Sequence, residues 1–171
     1  VGRFHPQKNH GFLIDIFYEF LKHHPESILL LVGDGSGRAA IRRKINRLGI
    51  SSHVCFTGSR EDVPDLLQAM DVFVFPSHYE GLGISIVEAQ AAGLPCLISD
   101  TIPAECIVTK HLVVRYDLKK PPDAWAEKIT SLLHLPRKDR TDEIRQAGYD
   151  LAQAAEKLET FYAEAKRRNR S

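Results

Sequence analysis

The sequence predicts an α/β fold built on a doubly wound parallel sheet, and three observations carry that prediction. Short apolar runs rich in β-branched and aromatic residues occur at positions 28–32, 54–56, 72–75 and 95–98, with the length and composition of buried strands. Between them lie stretches with apolar residues at helical spacing, at positions 11–23, 38–48, 63–69 and 84–92. Glycines cluster where the strands end. Strands that are apolar throughout and alternate with amphipathic helices fit a parallel sheet covered on both faces.

The chain opens on a strand stub at Val1, followed by a helix with Phe12, Ile16, Phe17 and Phe20 on one face. Leu29-Leu30-Leu31-Val32 is the next strand and runs into the turn Gly33-Asp34-Gly35-Ser36-Gly37. The helix after it carries Arg38, Arg42, Arg43, Lys44 and Arg47. Val54-Cys55-Phe56-Thr57-Gly58 is a third strand, and a short helix leads from it to Val72-Phe73-Val74-Phe75. The helix over 84–92 places Ile84, Val87 and Ala91 on one side and passes through Leu94 into the strand at 95–98. A weaker strand at 112–114 precedes a helical C-terminal third punctuated by Pro121, Pro122 and Pro136. Its last helix, about 151–168, carries Leu151, Ala154, Ala155, Leu158, Phe161, Tyr162 and Ala165 at helical spacing, a stripe expected to pack in the core.

Composition bounds the function. A chain of 171 residues with 43% hydrophobic content is sized for one domain with a full core. A net charge of +1 does not point to nucleic acid. The basic helix and the cluster Lys166, Arg167, Arg168 and Arg170 read as solvated faces, with contact to an anionic membrane surface as the sharper alternative. No run reaches the ~18 apolar residues of a membrane span, and no signal-peptide pattern is present. Cys55, Cys96 and Cys106 are odd in number and lack C-x-x-C spacing; Cys55 and Cys96 fall in apolar strands and read as small buried hydrophobes in a reducing cytosol. The eight histidines show neither H-x-x-x-H nor H-E-x-x-H, so no metal site is expected.

The joint Pro76-Ser77-His78-Tyr79-Glu80-Gly81-Leu82-Gly83-Ile84-Ser85-Ile86-Val87-Glu88 is the most informative stretch. It ties an apolar strand to a helix through two glycines, with a carboxylate on either side. The first N–H groups of a helix have no partner within it, and its dipole is positive there, so an anionic or hydroxyl-rich ligand is favoured at such a joint. A glutamate-glycine turn also serves as a plain helix cap.

The spacing of Glu80 and Glu88 resembles the E-x7-E signature of the retaining glycosyltransferases of family 4, in the nucleotide-sugar-binding half of a GT-B enzyme. Leu82 stands where E-G-F-G is usual. Gly2-Arg3 with Lys8 is similar to the family's G-R-x-x-x-x-K element. The turn at Gly33 and the strand ending at Gly58 match its strand-then-G-x-G and base-pocket elements, in the family's order over roughly residues 1–105. The loop Ser99-Asp100-Thr101-Ile102-Pro103-Ala104-Glu105 departs from the family's G-G-x-P-E: the proline is kept, but the glutamate comes one residue late.

The resemblance implies a Rossmann-like sheet forming one half of a GT-B enzyme. Residues 1–171 would be a single donor-nucleotide-binding domain, with 136–171 a C-terminal helical extension. Val1 already lies within the first strand pattern and no methionine precedes it, so a piece of a longer protein is expected, without its N-terminal acceptor-binding half. Part of the last helix's apolar stripe would then be an interface to that half. Arg3 and Lys8 would bind the donor diphosphate and Glu88 the ribose hydroxyls, while Glu80, the catalytic candidate, would contact the transferred sugar. Backbone amides at Gly81, Leu82, Gly83 and Ile84 would hold sugar and phosphate. Gly58, Ser59 and Arg60 would begin the base pocket, and Gly33, Asp34 and Gly35 would edge the cleft, with a turn role equally open for Asp34. The implied activity is transfer of a hexose or N-acetylhexosamine, with retention, from a nucleotide-diphosphate sugar, with UDP the commonest base, to a saccharide or lipid-linked acceptor. The isolated domain is expected to be inactive. The nucleotide sugar is the substrate, and neither cofactor nor metal is expected. The expected location is the cytoplasm, with contact at the inner face of the membrane left open.

Three other classes compete with this reading. A nicotinamide dehydrogenase needs G-x-G-x-x-G and an acidic residue ending the next strand, and Val54-Cys55-Phe56-Thr57 has none. A non-catalytic nucleotide-sugar-binding module would dispense with Glu80. A GT-B sugar-nucleotide epimerase is the nearest enzymatic rival.

Overall fold

The computed structural model describes residues 1–168 as five parallel strands and seven α-helices joined by short 3-10 turns. In chain order the elements are α1 (His10–Leu21), β1 (Leu29–Val32), α2 (Arg38–Leu48), β2 (Val54–Gly58), α3 (Val63–Gln68), β3 (Phe73–Phe75), α4 (Ile84–Ala91), β4 (Cys96–Ser99), β5 (Val113–Tyr116), α5 (Pro122–Leu132), α6 (Thr141–Gln146) and α7 (Leu151–Arg168). Arg170 lies outside the described residues, as do the side chains of Leu151, Ala165, Arg167 and Arg168.

All strand pairs are parallel, as continuous apolar strands joined by helices require. They form two sheets. One has the order β1-β2 and the other β3-β4-β5. β1 and β3 face each other across an apolar groove of about 560 Å³.

β4, flanked on both sides, is buried at every residue, and its alternate side chains serve different layers. Leu97 joins the cluster containing Ile14, Ile16 and Phe17 of α1, Ile41 and Ile45 of α2, and Trp125 of α5. Cys96 and Ile98 join the cluster of Ile86, Val87 and Ala89 of α4 with Leu67 of α3 and Ile144 of α6. Each fully buried aliphatic side chain contributes roughly 1.5–3 kcal/mol.

Pro122 opens α5 at its first turn, where an absent N–H costs nothing. That helix carries Trp125 beneath α1, fully buried, edge-on to Phe12 at 5.7 Å and to Tyr116 at 5.4 Å. Its indole N–H donates to the Asp117 carbonyl at 3.2 Å. Beyond it, the Arg137 guanidinium donates to the carbonyls of Leu67, Gln68, Met70 and Ala92, tying residues before α6 to the C-terminal ends of α3 and α4.

Two expectations are corrected. The apolar stripe of α7 is not core: Leu158, Phe161 and Tyr162 are 56%, 64% and 63% exposed. The spacing marks one side of a helix as apolar but does not say what covers it. Cys55 is exposed, not a buried hydrophobe. Val54 and Phe56 turn into the first cluster, so the residue between them must face the other way, and β2 has a strand neighbour on one side only. Cys96 and Cys106 are buried, and burial pushes both thiols up. Among the described residues, no helix is long and apolar enough to cross a membrane.

Candidate functional site

The site lies at the C-terminal ends of β1 and β3, where ligands of parallel α/β sheets bind. Its first wall is the chain start. Gly2 donates to the Val32 carbonyl at 2.8 Å and Phe4 to that of Asp34 at 2.9 Å, so residues 2–4 run beside the end of β1. Gly33 makes this approach feasible: its φ is +130°, and a Cβ there would lie 2.2 Å from the Gly2 carbonyl oxygen. Its amide donates to Gly58 O at 2.8 Å, which brings the ends of β1 and β2 together.

The turn Pro6–Lys8 then delivers Lys8 to the second wall. Lys8 Nζ lies 2.8 Å from both carboxylate oxygens of Glu80 and 4.9 Å from the centre of the Phe75 ring. Their side chains retain 19% and 7% exposure, so the pair is largely removed from water and its Coulomb attraction only weakly screened. Ser77, fully buried, stands against Glu80 Oε1 and within 2.9 Å of the Gln7 carbonyl. Gln7 Nε2 donates to Tyr79 O at 2.7 Å, and the His78 amide to Gln7 O at 2.8 Å. Loops separated by some seventy residues in sequence are thus stitched into one surface.

α4 supplies the third wall. Gly83 precedes it at φ +65°, a left-handed conformation that a side chain would strain, and a Cβ there would lie 3.1 Å from Ile86 Cδ1. The Ile86 amide bonds back to Gly83 O at 2.9 Å, and the amides of Ile84 and Ser85 have no partner among the described residues. A Cβ on Gly81 would meet nothing within 4 Å, so the joint is open on that side. Leu82 and Ile84 are exposed. Glu88, one turn further on, has its carboxyl raised by partial burial.

Other expected residues take different positions. Arg3 is exposed and, among the described residues, no acid lies within ion-pair reach of it. Asp34 completes its own turn, accepting from the Gly35 amide at 2.7 Å and from Arg38 at 2.8 Å, and the Gly35 bond above all holds its carboxyl below the usual range. Arg60 is held by Asp62 through Nε at 2.7 Å and through Nη2, while Ser59 is exposed. Of the basic helix, Arg38 and Arg42 lie over the Phe56 ring at 5.5 and 5.1 Å, and Lys44 pairs with Asp15.

Ser77, Gln7, Ser99 and Thr101, which no motif singles out, form the loop's framework. The hydroxyls of Ser99 and Thr101 both donate to the Ser77 carbonyl. A signal was present: Ser77 follows the apolar run of β3 and Ser99 closes that of β4, and the Phe75–Ile98 register sets those ends side by side. Among the described residues, no group of three or more His, Cys, Asp or Glu side chains is placed to share a metal ion.

A basic loop, a carboxylate and a helix start converge at the strand ends of a parallel sheet, an arrangement that suits an anionic or hydroxyl-rich ligand. Residues 1–151 match the family described as Glycosyl transferases group 1, and the chain belongs to it. The glycosyltransferase EpsF of Bacillus subtilis is 38% identical over 165 residues, covering 95% of this chain and 43% of its own length. The UDP-Gal:alpha-D-GlcNAc-diphosphoundecaprenol alpha-1,3-galactosyltransferase of Escherichia coli is 34% identical over 111 residues, 63% of this chain and 29% of its own. Among solved structures, Anabaena HepE in complex with UDP-glucose superposes with a TM-score of 0.73 at 23% identity, covering 95% of this chain and 47% of that one. The chain therefore spans less than half the length of each of these relatives.

Proposed function

We propose that this chain is the donor-binding half of a retaining glycosyltransferase that takes a UDP-sugar and serves polysaccharide synthesis. The observation that carries the reading is the meeting of Lys8 with Glu80 beside the start of α4, which concentrates a cation, a carboxylate and unpaired amides at one point. The UDP complex of HepE and the UDP-galactose named for the Escherichia coli relative favour uridine.

In this reading Arg3 and Lys8 take the diphosphate, Arg3 as a planar fork and Lys8 as a mobile point charge, with the Ile84 and Ser85 amides beside them. Preorganised positive charge stabilises the departing nucleotide diphosphate where its charge develops, so no metal is invoked. Glu88 accepts both hydroxyls of the ribose cis-diol. Glu80, released from Lys8 when the diphosphate arrives, faces the transferred hexose or N-acetylhexosamine. The acceptor, a saccharide or lipid-linked glycan at the cytoplasmic membrane face, is held by a separate N-terminal domain of the longer protein.

Transfer needs donor and acceptor held in near-attack geometry, worth ~7–11 kcal/mol of barrier. Labelled UDP-sugar incubated with these 171 residues and glycan acceptors should give no glycosylated product, whereas the longer protein should give one with the anomeric configuration retained. Robust turnover by the 171 residues alone would refute the division of labour. Interconversion of the UDP-sugar without an acceptor would instead identify an epimerase.

A further inference from the structure

Glu80 is held from two directions, and only one of its partners is a cation that a diphosphate can draw away. Its carboxylate accepts from Lys8 Nζ at 2.8 Å on both oxygens and, at Oε1, meets the Ser77 hydroxyl at 2.5 Å. Ser77 is fully buried and the Glu80 side chain keeps 7% exposure, so water contributes little at this contact. Among the described residues, Lys8 and Ser77 are the only hydrogen-bond donors to the carboxylate.

A hydroxyl has one proton to give, and three acceptors lie within reach of Ser77 Oγ: Glu80 Oε1, Gln7 O at 2.9 Å and Tyr79 O at 3.2 Å. Both carbonyls are already served, Gln7 O by the His78 amide at 2.8 Å and Tyr79 O by Gln7 Nε2 at 2.7 Å. The carboxylate is the charged acceptor and the nearest, so the proton goes to Glu80. The residue that gives it is itself fixed. The hydroxyls of Thr101 and of the fully buried Ser99 donate to the Ser77 carbonyl, which locks the loop after β3 to the end of β4.

We propose that Ser77 is the positioning residue of Glu80: its hydroxyl keeps the carboxylate bonded and oriented when Lys8 turns to the diphosphate. The inference rests on the reading of Lys8 as a diphosphate ligand. With Lys8 engaged elsewhere, a carboxylate buried to this degree would have no donor but Ser77, and an unpaired buried charge is costly. The Ser77 bond therefore counts for more once the diphosphate has taken Lys8 than while Lys8 still pairs with Glu80. Donor affinity thus depends in part on a side chain that does not touch the donor.

Calorimetric titration of UDP and of uridine into the longer protein, as wild type, Ser77→Ala, Glu80→Ala and the double variant, tests this. Ser77→Ala should weaken UDP by about 10-fold, within the range for a hydrogen bond to a charged group. Uridine should be unaffected, because it carries no phosphate to draw Lys8 away. In the Glu80→Ala background the same substitution should cost nothing, since no carboxylate is left to hold. A loss of equal size in both backgrounds, or a matching loss for uridine, would show that Ser77 merely holds the loop and would overturn the proposal. UDP affinity unchanged in Ser77→Ala while Lys8→Ala weakens it would overturn the proposal and leave the diphosphate reading standing; affinity unchanged in both variants would overturn the two together. If Ser77→Ala fails to fold, Ser77→Cys, which keeps a side chain of similar size with a weaker donor, carries the same comparison with a smaller loss expected.

Discussion

Lys8 cannot hold Glu80 and a diphosphate equally well, and this competition gives the two glutamates different signatures. Lys8 Nζ lies 2.8 Å from both oxygens of Glu80, so in the proposed complex a diphosphate competes with that carboxylate for Lys8. Glu80→Ala should therefore leave UDP affinity unchanged or raise it while abolishing transfer by the longer protein. Glu88→Ala should weaken UDP by roughly 1–3 kcal/mol, the scale of losing hydrogen bonds to a charged acceptor. Calorimetry on the two variants checks this, and equal losses for both would show the pair of glutamates to be wrongly assigned. Ionisation also matters at this scale. Burial above all, with Lys8 nearby, lowers His10 to about 4 from an ordinary 6.5. Its folded value lies below its unfolded one, so the unfolded chain binds more protons between those pH values. Stability should be fully present above about pH 6.5 and fall as the pH drops toward 4, by about 2–3 kcal/mol. Urea unfolding of wild type and His10→Gln across that range checks this, with the variant losing less.

At the scale of elements, β1 to β4 were legible because each falls on a short, largely apolar run, while β5, broken by Arg115, gave a weaker signal. The helices between them were legible from apolar spacing. Sheet grouping was not, since nothing in the periodicity of β1 or β3 tells which edge is paired. Nor was the fate of α7, because an apolar stripe reads identically whether it meets a core or solvent. The weight carried by α5 was also hidden: a lone Trp125 between two prolines and a run of mixed residues gives no hint that it lies beneath α1. Trp125→Ala should destabilise the fold by about 3–5 kcal/mol through the cavity left against Phe12 and Tyr116. Phe161→Ser on α7 should change stability by no more than ~0.5 kcal/mol. Chemical denaturation of the two variants separates core from surface; a loss above ~2 kcal/mol for Phe161→Ser would mean that α7 packs against the body.

For the molecule as a whole, the candidate site was readable as a set of residues but not as an arrangement. Arg3, Lys8, Glu80 and Glu88 stand out by spacing, yet the link between Lys8 and Glu80, the buried Ser77 and the stitching by Gln7 depend on which strand ends lie side by side. Asp34 and Arg60 show the converse: both fall at expected positions, and local partners, Arg38 and Asp62, occupy them. The central claim is that the loop after the chain start binds a nucleoside diphosphate through its two cations. Calorimetric titration of UDP and of uridine into the protein and its Arg3→Ala and Lys8→Ala variants tests it most directly. The account predicts that each substitution weakens UDP by roughly 1.5–3 kcal/mol and leaves uridine unaffected. UDP affinity unchanged in the double variant would contradict it.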